Sequence, residues 1–179
     1  QVTCCISVWE GYRHLMAQAN LSLGTYDIGP EQALALRNKL GVRNQLAAAG
    51  LSQVQAHALS APVLQALQMD GRPYFIKPIH GIASYAAFPM RPDTRWATLE
   101  ALREASASDT VYASAFNEGL EFMAEDYIPG KEFSFETLLL DGQVHVVAIH
   151  EKYEVTETAE TVLEDSCTTP PASLDKAQI

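Results

Sequence analysis

Asp141-Gly142 stands between two runs rich in leucine, β-branched and aromatic residues, inside FMAEDYIPGKEFSFETLLLDGQVHVVAIHEKYEV (residues 122–155). Both positions of a tight two-residue hairpin turn take positive φ, which this dipeptide tolerates, so it predicts a β-hairpin. Counting outward from the turn pairs Leu140 with Gln143, Leu138 with His145, Glu136 with Val147, Ser134 with Ile149 and Glu132 with Glu151. A side-chain period of two then puts Glu132, Ser134 and Glu136 on one face. Two carboxylates and a hydroxyl on an apolar hairpin are either the solvated face of an antiparallel sheet or a face that meets a ligand, and both readings stand at this point.

The chain has 179 residues, enough for one good core or for a small lobe and part of another. Its formal charge of −10 argues against a general nucleic-acid binder, because phosphate backbones require a clustered basic surface. Any bound anion must be met by a few local cations. No apolar run is long enough to span a bilayer, and the opening residues carry no basic-then-apolar leader, so the expectation is a cytoplasmic protein with no membrane partner. Cys4, Cys5 and Cys167 are odd in number and two are adjacent, which predicts reduced thiols rather than a disulfide framework or a metal site. The chain opens on Gln1 rather than Met, with residues that look like the inside of a fold, and the expectation is a fragment or a processed product.

Along the chain, residues 2–8 read as a short buried strand, with a turn at residues 9–11, a helix over 12–19 with Leu15, Met16 and Ala19 inward, and a loop over 21–29. Pro30 suits a helix's first turn and Gly50 its stop, so residues 31–49 are expected to be helical and interrupted or bent at Gly41. Lys39 and Arg43 sit four apart on that helix. Like charges at this spacing repel by a few tenths of a kcal/mol, which an anion between them would offset; the other reading is two solvated cations. A strand is expected over 53–59 with Val54, Ala56 and Ala58 inward, then a helix over 61–69 capped by Ser60, a turn at 70–73, and a strand over 74–79. Residues 91–93 form a turn, and Asp93 or Thr94 is expected to cap a helix to about residue 107 with Leu99 and Leu102 inward. Residues 111–116 read as a strand or part of a mobile segment, and Asn117-Glu118-Gly119 as a turn. Residues 156–165, acidic and threonine-rich, read as a solvated loop, and a helix could begin at Ser173.

Lys77 falls inside the 74–79 strand, in YFIKPIHGIASYAAF, followed by Pro78 and a small-residue loop. Backbone N–H groups of such a loop can approach phosphate oxygens while the lysine supplies a point charge. The alternative is a lysine on an edge strand, running its stem past apolar neighbours.

Three blocks, NKLGVRNQLAAAG, YFIKPIHGIASYAAF and FMAEDYIPGKEFSFETLLLDG, together resemble the successive ATP-binding elements of the ATP-grasp family of carboxylate ligases, over about residues 4–171. The nearest flavour is the amino-acid or peptide ligase branch, which includes carnosine-synthase-like enzymes. The resemblance implies an α+β chain carrying part of the ATP-grasp fold: the end of an N-terminal α/β subdomain (1–29), a central helix and linker (30–62), a lid subdomain (63–128) and the start of a C-terminal lobe with an antiparallel sheet (129–179). It also implies ATP held between lid and lobe. Lys39 and Lys77 match lysines that reach the phosphates, residues 80–86, with His80, Gly81 and Ser84, match the loop that closes over them, Glu125, Asp126, Tyr127 and Ile128 match the adenine hinge, and Glu132 matches the acid that takes the ribose hydroxyls.

The implied activity is ATP-dependent ligation of a carboxylate and an amine, with amino acids as the expected substrates, through an acyl phosphate. Mg²⁺ is implied as well, with its ligands expected beyond the residues given, and a homodimer is an open option. Two alternatives remain beside the ligase: a nucleotide-binding ATP-grasp module without catalysis, and a biotin-carboxylase-like enzyme.

Overall fold

The computed structural model describes residues 2–112, 116 and 119–175, which gather into two units: one built on residues up to 127 together with 159–161, the other on residues 128–158 and those from 162 onward.

The first unit opens on an extended segment that pairs with no strand among the described residues. The expected buried strand over residues 2–8 is therefore corrected. Ile6 is 80% exposed, and the polar groups of Cys5 are met by a side chain instead, its N–H donating to Asn20 Oδ1 at 2.7 Å and its carbonyl accepting from Asn20 Nδ2 at 3.0 Å. A single 3₁₀ turn (Glu10–Tyr12) leads into α1 (Arg13–Leu23), longer than expected because it ends only where Gly24 takes a left-handed C-cap. Its buried face is Ala17 and Asn20, while Leu15 is exposed, so the expected apolar stripe is displaced.

The helical segment expected over 31–49 is interrupted, as one of the two expectations had it, into two helices. α2 (Pro30–Arg37) and α3 (Lys39–Ala48) break at Asn38, not at Gly41. Asn38 is extended, and its side chain accepts from the Gly41 N–H at 2.8 Å, capping α3. β1 is shorter than expected (Ala56–Ala58), with Ala58 exposed rather than inward. Ser60 caps α4 (Ala61–Asp70) as expected, accepting from Val63 N–H. β2 (Tyr74–Pro78) and β3 (Phe88–Pro89) flank the small-residue loop. α5 (Trp96–Ala107) begins after Arg95; Thr94 does not cap it, because its hydroxyl accepts from Arg91 N–H at 2.9 Å. The strand or mobile segment expected over 111–116, the turn at Asn117-Glu118-Gly119 and the helix from Ser173 lie partly outside the described residues.

β4 (Phe122–Asp126) completes a sheet of order β1-β4-β2-β3 in which every pairing is antiparallel. Alternation divides this sheet into two chemistries. Tyr74, Ile76, Phe122 and Ala124 face one way and close a core with Leu64 and Leu67 of α4 and Leu99 of α5. Phe75, Lys77, Met123 and Glu125 face the other way, in register as Lys77 opposite Met123 and Phe75 opposite Glu125. β2 is interior, which removes the edge-strand reading of Lys77.

The second unit is a meander of β5 (Phe133–Leu140), β6 (Gln143–Glu157) and β7 (Val162–Thr168), in the order β5-β6-β7. Asp141 and Gly142 have φ of 49° and 76°, as the hairpin turn requires. The expected register holds from the turn to Thr137, opposite Val146, and then shifts at a bulge, so that Glu136 meets Ala148, Ser134 meets His150 and Phe133 meets Glu151. The bulge has an electrostatic consequence. Glu132 no longer faces the like charge of Glu151, and pairs with Lys152 at 2.8 Å. Of the solvated loop expected over 156–165, residues 158–161 remain outside the strands, while β6 runs to Glu157 and β7 starts at Val162. Composition misled there because β7 is a sheet edge, where charged residues are the usual protection.

Candidate functional site

α3 is positioned by its cap at Asn38 and packs by β1, on the side of the first sheet that carries Lys77 and Glu125. With four residues between them, Lys39 and Arg43 lie on the same face of α3. A cleft of about 190 Å³ is lined by Leu36, Lys39, Val42, Arg43 and Lys77. Three cations and two aliphatic side chains around one opening form a site suited to an anion that carries an apolar or aromatic part.

Inside this group lies one acid. Glu125 is 5% exposed and accepts from Lys77 Nζ at 2.5 Å, from Arg43 Nε at 2.6 Å and from Arg43 Nη2 at 3.3 Å. Burial pushes the Glu125 carboxyl up, but the hydrogen bonds from Arg43 and Lys77 outweigh it and hold the group below the usual carboxylate range. Lys39 does not share this acid. Its ammonium donates to the Gly81 carbonyl and its backbone N–H to the Ile79 carbonyl at 3.0 Å, so one residue of α3 holds both sides of His80. Burial depresses the Lys39 ammonium pKa, with the charges of Lys77 and Arg37 adding to the effect.

The loop between β2 and β3 is built rather than slack. A Cβ at Gly81 would stand 2.9 Å from the Pro78 ring, so only glycine fits there. Ile82 and Ala86 are buried in the core, and the Tyr85 ring lies 5.1 Å from that of Phe116 and 5.9 Å from that of Tyr112. Ala83, Ser84 and Ala86 have φ between 50° and 55°, a left-handed conformation that disfavours a Cβ. Strain concentrated in a short loop beside a cation cluster is the pattern of functional loops. His80 and Ser84 are exposed, and the Ser84 carbonyl accepts from Thr161 Oγ1 at 2.8 Å.

At the end of β4, Asp126 accepts from Gln55 N–H through its carboxylate at 2.8 Å and donates its own N–H to Gln55 O at 3.0 Å, while Tyr127 N–H donates to Pro73 O at 3.0 Å. The amides of Asp126 and Tyr127 are thus engaged within the unit. Ile128 and Glu132 belong to the second unit, where Lys152 bonds both Glu132 and Glu164, at 2.8 and 2.7 Å.

The first unit therefore brings together Lys39, Lys77, Gly81 and Glu125. Arg43 joins them. The reading of Lys39 and Arg43 as two solvated cations is corrected, since the Lys39 ammonium donates to the Gly81 carbonyl and Arg43 pairs with an internal carboxylate from a residue 82 positions away. The helical spacing was the available signal for Arg43; its partner left none. Leu36 and Val42 gave no signal either.

Residues 71–178 match the family model described as the ATP-grasp domain. No curated protein matches the sequence. Among solved structures, the chain is similar to an L-amino acid ligase from Bacillus licheniformis, with 23% identity, TM-score 0.64, and coverage of 98% of this chain and 38% of that one. It is also similar to the VanG D-Ala:D-Ser ligase from Enterococcus faecalis, with 18% identity, TM-score 0.60, and 93% and 48% coverage. A third is the D-alanyl-alanine synthetase A from Vibrio cholerae, with 12% identity, TM-score 0.57, and 94% and 51% coverage. The chain thus spans between about a third and a half of the length of these proteins, and at these identities the likeness is one of fold.

Proposed function

This chain belongs to the ATP-grasp family, and from that premise we propose that it carries the nucleotide-binding part of an ATP-dependent carboxylate–amine ligase acting on amino acids. The observation that carries the reading is the convergence of Arg43, Lys77 and Lys39 on one cleft that also has aliphatic walls. A nucleotide has both parts such a cleft suits: an anionic phosphate chain and an apolar base. The similar structures include an L-amino acid ligase and a D-Ala:D-Ser ligase, which supports amino acids as the substrate class.

In this reading Lys77 and Arg43 direct charge at the phosphates, and the loop containing His80, Gly81 and Ser84 is the one that covers them. The end of β4 and the residues after it, Glu125 to Ile128, meet the base through backbone groups. Glu132 takes the ribose hydroxyls.

The carboxylate oxygen of one substrate attacks the terminal phosphorus of ATP, and ADP leaves. The amine of the second substrate attacks the resulting acyl phosphate, a proton is lost, and inorganic phosphate departs as the amide forms. Charge that grows on the transferred group is met by cations already in place, which is where most of the catalytic stabilisation in such reactions arises. Among the described residues no three His, Cys, Asp or Glu side chains are grouped to hold a metal ion, so no step is assigned through magnesium.

The test is trapping. Incubated with ATP, amino acids and hydroxylamine, the protein is expected to form ADP and an amino-acid hydroxamate only when a carboxylate substrate is present. Nucleotide binding with no ADP and no hydroxamate across the amino acids would reduce the function to nucleotide binding alone.

A further inference from the structure

An acid at the centre of an anion site needs a reason. Glu125 sits on the cation-bearing face of the first sheet, almost out of solvent, where its charge weakens the attraction of the cleft for any anion. Stability alone is a poor explanation, because the cost of desolvating a buried ion pair commonly offsets its attraction. Geometry supplies a better one. The carboxylate joins two elements: Oε1 receives Lys77 Nζ from β2 at 2.5 Å and Arg43 Nη2 from α3 at 3.3 Å, and Oε2 receives Arg43 Nε at 2.6 Å. An ammonium has three donors and a guanidinium five. Glu125 engages one of the first and two of the second, which leaves both cations with donors for a ligand while holding their heads in place.

Lysine is a point charge on a four-carbon stem and loses much rotamer freedom when it binds unaided. A fixed carboxylate removes that freedom beforehand. The arrangement also sets the spacing between the two cations, since both are bonded to one rigid planar group.

We propose that the Glu125 carboxylate is a positioning group that fixes Arg43 and Lys77 as a pair for nucleotide phosphates, acting through these cations and not on the nucleotide itself. The inference rests on the nucleotide reading above. It gives the Glu125 side chain a role apart from the backbone contact with the base that its place at the end of β4 implies.

The experiment is a coupling cycle read by equilibrium binding of ADP to wild type, Glu125→Gln, Lys77→Met and the double variant. Arg43 Nε–H exchange, followed by NMR without nucleotide, reports the pairing itself. Glu125→Gln is expected to weaken ADP binding about tenfold and to make the slow-exchanging Arg43 Nε–H signal exchange rapidly; in the Lys77→Met background its additional effect shrinks to about twofold or less, as for residues that act as a unit. Arg43→Lys, which keeps the charge that neutralises Glu125 but lacks the planar fork, is expected to lose affinity as well and serves if Glu125→Gln does not fold. ADP affinity unchanged in Glu125→Gln, or in Arg43→Lys if that variant is the one read, overturns the proposal. So do losses that multiply in full in the double variant. A wild-type protein with a protected Arg43 Nε–H and no ADP binding overturns the nucleotide reading instead, and with it the ligand assigned to the pair.

Discussion

Glu151 is fully buried, yet it is not among the residues that the sequence singled out for chemistry. It accepts from Lys131 Nζ at 2.9 Å and from the Ser173 N–H at 2.8 Å. Burial pushes its carboxyl up, but the bonds from Ser173, Lys131 and Tyr153 prevail and bring it down to about 2, from an ordinary 4.5. A carboxyl whose folded pKa is depressed contributes stability that is complete above the unfolded value and is lost as pH falls through the folded one. Thermal unfolding of wild type and Glu151→Gln is therefore expected to differ most above about pH 5, with the gap closing between about pH 4.5 and 2. A pH-independent gap would contradict this. At Ser60, whose hydroxyl caps α4, replacement by Ala is expected to cost about 1 kcal/mol in chemical denaturation. Single residues with a local signature, such as Ser60 and Asp141-Gly142, were legible in the sequence; Glu125 was legible as part of the hinge block, but its ion pairs, like those of Glu151, were not, because the partners lie far along the chain.

Among the elements, those whose signal is local also came through. The hairpin turn, α4 and the Lys77 strand follow from dipeptides, caps and short apolar runs. The bulge between Glu136 and Thr137 did not, because one inserted residue leaves no compositional mark while shifting every pair beyond it. The break at Asn38 was hidden by Gly41, the more conspicuous helix breaker, which proves to be the residue whose N–H the Asn38 cap receives. The loop between β2 and β3 carries its own prediction. Ser84 is exposed with a φ of 55°, so Ser84→Gly is expected to stabilise the protein by about 0.5–1 kcal/mol in denaturant titration. A destabilised Ser84→Gly would show that the loop is not strained there.

For the molecule as a whole, family membership was legible from blocks in order rather than from any one of them. The family match covers the second and third blocks, from residue 71 onward, and leaves out NKLGVRNQLAAAG, whose contribution is seen only in three dimensions, where Lys39 and Arg43 meet Lys77. Residues 2–8 show the limit of reading by composition: an apolar run says strand, but a strand needs a neighbour, and among the described residues this one has none. The central claim is that the cations of the first unit bind the phosphates of a nucleotide. Equilibrium titration of the protein with ADP, wild type beside Lys77→Ala, tests it most directly. Saturable binding by wild type, weakened at least about tenfold in Lys77→Ala, is the predicted result; equal affinity in the two proteins, or no binding by either, would contradict it.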